Sequence, residues 1–132
     1  MKINRNKLLL SLLGITITAG LTFFVVRYRE NFFPGFDLPL QAGNVVVEMY
    51  RDEYKPSQVK IQQGTTITFV NKSDVARWPA SDLHPSHGIY PEFDPKRPIA
   101  PGEEWNFVFD KVGEWTMHDH LAPYITGRVI VK

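Results

Sequence analysis

The sequence predicts an all-β domain, a sandwich or barrel of short antiparallel strands, preceded by one N-terminal transmembrane helix. Two observations carry this. From Asn44 onward, short β-rich segments alternate with turn residues, and none of them has a helical period. Before that, Leu8–Val26 runs without a single charged residue, long enough as a helix to cross ~30 Å of hydrocarbon.

The N-terminal segment comes first. Lys2, Arg5 and Lys7 precede the apolar run, an arrangement that keeps the N-terminus inside and exports the rest of the chain. A cleaved signal peptide is the rival reading. Its apolar core is shorter, about 7–15 residues, and the one cleavage-like stretch, Thr18–Ala19–Gly20, lies before the apolar residues end at Val26. Residues 1–29 are therefore assigned as an uncleaved signal-anchor. Residues 30–43, with Pro34, Gly35, Pro39 and Gly43, read as a linker. Residues 44–132 form the domain, on the extracytoplasmic side of the cell membrane (periplasmic or cell-surface).

Charge is divided in the same way. Five of the 15 basic residues (Lys2, Arg5, Lys7, Arg27, Arg29) precede residue 30 and none of the 14 acids does. The exported part is mildly acidic and lacks a basic aromatic stripe, which argues against nucleic acid as a partner. The chain has no cysteine. That removes thiolate nucleophiles, Cys-bound zinc and iron–sulfur clusters.

The strands are taken in chain order. Val45–Tyr50 is the first. Gln58–Gln62 sets Val59 and Ile61 on one face, and Gly64 turns the chain into Thr65–Val70, where Ile67 and Phe69 face together. After the Pro101–Gly102 turn, Glu104–Phe109 aligns Trp105, Phe107 and Phe109. Gly113 opens Trp115–Leu121, and Gly127–Val131 closes the chain. Between them, Asn71 to Ala100 is proline-rich and without alternation, a length that in a compact domain marks a functional loop. Trp78, Leu83, Ile89, Tyr90 and Phe93 in this loop are expected to pack rather than be disordered.

The four histidines fall as two close pairs, His84 and His87 in the long loop, His118 and His120 at a strand end. Such pairing points to a metal. Alternation projects His118 and His120 to one face and Asp119, with Trp115 and Met117, to the core face. The loop can fold over and bring His84 and His87 to the other pair; a bulge at the strand end would instead let Asp119 and His120 converge. Two ligand sets result: His84, His87, His118 and His120, or Asp119 with His120 and one or both loop histidines. Imidazole and carboxylate donors rank copper, as Cu(II), first and zinc second. Asp82, Glu92 and Asp94, near the loop pair, read first as capping and turn residues and alternatively as acceptors that orient imidazole N–H groups. Trp78, Tyr90 and Tyr124 read as loop packing, and Met117 as core.

Two motif runs resemble the cupredoxin family: Pro56-x-x-Val59-x-Ile61-x-x-Gly64-x-x-Ile67-x-Phe69-x-Asn71, and Pro101–Gly102–Glu103 leading to Trp105-x-Phe107-x-Phe109, Gly113-x-Trp115 and Gly127-x-Val129-x-Val131. The resemblance covers residues 44–132 and implies a Greek-key cupredoxin-like β-sandwich with a copper site at one end. It departs at the ligands. The family's Cys position falls at Asp119, its first His position at Arg77 or Trp78, and no Met comes after His120. A blue, thiolate-bound copper centre is excluded. His118–Asp119–His120 also resembles the His-Cys-His strand of multicopper oxidases. The resemblance implies an anchored copper-handling or copper-delivery protein, with a membrane oxidase or copper-acceptor protein as partner. Two alternatives stand beside it: a His-ligated copper or zinc metalloenzyme, for which no general base is evident, and a metal-free interaction module.

Overall fold

The computed structural model describes residues 38–132. The expected anchor (1–29) and most of the linker lie outside the described residues. Nine strands occur among the described residues: β1 (Leu40–Gln41), β2 (Val45–Met49), β3 (Tyr54–Lys55), β4 (Gln58–Ile61), β5 (Thr65–Asn71), β6 (Pro79–Ser81), β7 (Glu104–Phe109), β8 (Gly113–Asp119) and β9 (Ala122–Val131). They form two sheets, ordered β1-β4-β9-β8-β6 and β3-β2-β5-β7. This is an all-β sandwich of two sheets, the architecture that the resemblance implies, and no helix occurs among the described residues.

Six of the strands match the sequence reading within a few residues at their ends, except that β9 begins at Ala122 rather than Gly127. Three were not anticipated, because two or three residues carry no periodicity: β1 inside the expected linker, β3, and β6 inside the expected loop. The expectation of purely antiparallel strands is also corrected. β1 with β4, β4 with β9, and β2 with β5 are parallel pairs. Alternation reports which face a residue takes, not which way its neighbour runs.

The core lies between the sheets. Val45, Val47 and Met49, Val59 and Ile61, Ile67 and Phe69, and Ile125, Val129 and Val131 are buried at alternate positions along their strands. Gly64 adopts φ 82°, a left-handed conformation that the tight β4–β5 turn needs and that glycine takes without strain.

The long connection from Asn71 to Ala100 is built into this core rather than draped over it. Tyr90, Phe93 and Ile99 are buried. Phe93 lies nearly parallel to Trp105, centroids 5.8 Å apart, and meets Phe109 at 5.0 Å. Tyr90 tilts against Trp115 at 4.8 Å, and its hydroxyl donates to Asp110. Burying each such ring contributes about 1.5–3 kcal/mol. Backbone bonds secure both ends: Arg77 and Ile99 exchange N–H···O bonds of 3.0 and 2.8 Å, and the Asn71 amide donates to Val75 and Ile99 carbonyls. Leu83 and Ile89 depart from expectation, being 66% and 37% exposed at the loop tip.

Candidate metal centre

The fold brings both histidine pairs to one place. Strand β6 pairs with the end of β8, Ala80 opposite His118. The chain leaving β6 is therefore delivered beside the His118–His120 end. It arches there through a hydrogen-bonded turn: Asp82 N–H donates to the Thr116 carbonyl (3.1 Å), His87 N–H to Leu83 (2.7 Å) and Ile89 N–H to Asp82 (2.8 Å). His87 sits at φ 53°, left-handed and uncommon for a residue with a side chain. The Ser81 hydroxyl on its carbonyl (2.8 Å) helps hold it there. On the strand side, register shifts between His118 and Asp119. His118 and His120 still face the same way, under the arch.

The four imidazoles touch in a closed circuit. Ring centroids are 5.1 Å apart for His84–His118, 5.4 Å for His118–His87, 4.9 Å for His87–His120 and 4.8 Å for His120–His84. The His118–His120 diagonal is 6.4 Å. Inside the circuit, His84 Nδ1 lies 3.2 Å from His118 Nε2, and His87 Nε2 lies 2.9 Å from His120 Nδ1. One nitrogen each of His84, His118 and His120 falls within 4.8 Å of the others. All four sequence-predicted histidines are thus brought together. His118 and His87 are buried, His120 is half-buried, and His84 is exposed.

Carboxylates fix the ring orientations from outside. His118 Nδ1 is 2.8 Å from Asp82 Oδ1, and His87 Nδ1 is 2.6 Å from Asp94 Oδ2. A carboxylate oxygen accepts, so each Nδ1 is placed to donate outward, and this turns each Nε2 towards the interior. Asp82 and Asp94 thus take the alternative of the two readings, standing behind imidazoles. Glu92 does not share it: its carboxylate pairs with Lys111 at 2.8 Å.

Asp94 does more than hold one histidine. It accepts from Trp78 Nε1 (2.8 Å), from Lys96 N–H (2.8 Å) and from Lys96 Nζ (2.8 Å). Burial alone would raise its carboxyl. The Lys96 side chain and backbone, then Trp78 and His87, outweigh burial and hold it well below the usual carboxylate range. Trp78 in turn lies against His120, centroids 4.7 Å apart. Replacing Asp94 by asparagine is expected to lower metal affinity about 10–100-fold, the usual cost of losing such an orienting partner. A chelator-competition titration reads it.

Asp119 is not brought into this cluster. Its side chain is fully buried on the opposite face, where Oδ1 accepts from Leu121 N–H (2.9 Å) and Ala122 N–H (3.1 Å). Oδ2 accepts from Trp78 N–H at 3.3 Å and faces the buried Arg77 guanidinium at 3.8 Å. The carboxylate therefore caps the β8–β9 turn and balances an internal cation. Asp119 stands where the cupredoxin resemblance puts the Cys, and Arg77 is one of the two residues, with Trp78, where it puts the first His. The burial of Arg77 against Asp119 escaped the sequence reading, since a cation inside a sandwich has no pattern of its own. Tyr124 is 78% exposed rather than packed, while Met117 is core as expected.

Burial lowers His118 below the ordinary value of 6.5, with the neighbouring histidines adding and Asp82 opposing. His120 is lowered by burial and then by His87, His84 and His118. Both shifts favour the neutral ring, the form a ligand takes. Below 6.5 the unfolded chain takes up protons that the folded chain refuses, so stability falls as pH falls. The metal-free protein is expected to melt at a steady temperature between about pH 7 and 8 and at progressively lower ones towards about pH 5, above the carboxylate range. Melting curves across that range check it; a flat or rising profile contradicts it.

A family model described as a cupredoxin-like domain matches residues 16–131. No curated protein sequence matches significantly. Among solved structures, the chain is similar to a reduced amicyanin variant (20% identity, TM-score 0.59, 68% of this chain and 83% of that one). It is similar also to a purple cupredoxin from Nitrosopumilus maritimus (22% identity, TM-score 0.59, 67% and 99%). A third is a Cu-containing nitrite reductase from Thermus scotoductus (24% identity, TM-score 0.58, 74% of this chain but 24% of that one). At these identities the likeness is one of fold.

Proposed function

Because the chain belongs to the cupredoxin-like family, we propose that its four-imidazole cluster binds Cu(II) and serves copper handling or delivery. The observation that carries this is the convergence of ring nitrogens beneath the arch, with carboxylates behind two of the rings. Two of the donor contacts have the spacing that one ion imposes, and the His84, His118 and His120 donors lie within 4.8 Å of one another. Metal–nitrogen bonds of about 2.0–2.1 Å put neighbouring donors about 2.9 Å apart in a square plane and about 3.3 Å apart in a tetrahedron; the two inner contacts measure 2.9 and 3.2 Å. His84, His118 and His120 are the first ligands, His87 the fourth, and Asp119 lies outside the set.

All-nitrogen donors favour Cu(II) over zinc by the general affinity order. With no cysteine in the chain, thiolate-based electron transfer falls outside this reading. The apolar run Leu8–Val26 would hold the domain at the outer face of a membrane, close to an acceptor such as an oxidase complex. Retention of the chain in alkali-washed membranes, and its release on deleting residues 1–29, tests the anchor.

Titration of the protein with Cu(II) against excess Zn(II) tests the site. One tightly held copper per chain, not displaced by zinc, is expected. The absence of stoichiometric binding at micromolar metal would leave a metal-free interaction module, in which the imidazoles serve only to hydrogen-bond one another.

A further inference from the structure

We propose that the imidazole frame discriminates between the oxidation states of copper, retaining Cu(II) and releasing the ion when it is reduced. This deepens, and rests on, the copper reading above. Three features of the chain carry it.

The first is donor chemistry. Cu(I) is selected by thiolate and thioether sulfur. The chain has no cysteine, and the described methionines, Met49 and Met117, are 0% and 1% exposed core residues. Met117 packs against Gly127 on the face opposite the histidines. No described sulfur is placed to stay with the ion through a change of state.

The second is shape. In a tetrahedron all ring–ring separations are equal, whereas in a square the diagonal exceeds the side by a factor of about 1.4, the arrangement Cu(II) prefers. Here the sides run from 4.8 to 5.4 Å and the measured diagonal is 6.4 Å. The frame is thus longer along the His118–His120 diagonal than along any side, a departure from equal separations in the direction of the square.

The third is stiffness. His118 is buried and tied to Asp82, His87 is buried and tied to Asp94, and Trp78 lies against His120. Three rings therefore resist regrouping into the two- or three-coordinate sets that a filled-shell ion takes. Of the four rings, His84 alone is exposed. A reductant such as ascorbate supplies one electron to Cu(II), giving Cu(I). No covalent bond of the protein changes, and the neutral imidazoles give up the ion and close back across their inner contacts.

The full chain carrying one equivalent of Cu(II) is the material for the test. Cu(II) affinity is read by competition with a Cu(II) chelator, and Cu(I) affinity anaerobically, after ascorbate, by competition with a chromogenic Cu(I)-specific chelator. The expected result is Cu(I) binding at least about 100-fold weaker than Cu(II), equivalent to a potential about 120 mV below that of the free ion pair at 59 mV per tenfold for one electron. His84→Met, which sets a thioether on the frame, is expected to narrow that ratio tenfold or more. Cu(I) held as tightly as Cu(II) would overturn the inference and leave the copper site standing. Failure to bind Cu(II) at all would overturn the site itself.

Discussion

Replacing His118 by alanine is expected to weaken Cu(II) binding by about 100-fold or more, beyond the 10–100-fold typical of losing an outer partner. His118 is the best-held ring of the cluster: it is 2% exposed, sits on a β-strand, and has Nδ1 tied to Asp82 so that Nε2 faces inward. Removing it takes away a donor whose orientation is already set before metal arrives. His84→Ala is expected to cost less, because an exposed loop ring forfeits more freedom when it binds. Competition titration of both variants against a coloured chelator gives the order. Equal affinities for His118→Ala and the unaltered protein would remove His118 from the ligand set.

Asp119→Ala is expected to do the reverse. It removes a fully buried carboxylate that accepts three backbone N–H bonds and faces the buried Arg77. Leaving such a cation unpaired costs about 3–5 kcal/mol, a large share of a small domain's stability. Urea unfolding measures the loss. Copper affinity of the molecules that remain folded is expected to be unchanged, since the carboxylate points away from the imidazoles. A variant of normal stability with weakened copper binding would reverse the roles assigned to Asp119 and the histidines.

The contrast between these residues shows what the sequence could and could not disclose. The alternating apolar positions of β4, β5 and β7 reveal their buried faces because period-two patterning is a direct imprint of a half-buried strand. The histidine pairs are legible because short spacing on a strand and in a loop constrains where they can point. Asp119 is open to two readings in the sequence, since only the placement of the 77–78 backbone decides whether its carboxylate turns to metal or to Arg77. Strand direction, the three-residue β6 that positions the arch, and the Asp94–Trp78–Lys96 cluster depend on contacts distant along the chain or on single residues. None of these leaves a periodic trace.

The most direct test is electron paramagnetic resonance of the full chain carrying one equivalent of Cu(II), compared with the His118→Ala and Asp119→Ala variants. Nitrogen couplings from several equatorial imidazoles and no intense thiolate colour are predicted, with the signal altered by His118→Ala and untouched by Asp119→Ala. A copper signal indifferent to His118, or one lost with Asp119 while the fold persists, would contradict a four-imidazole site.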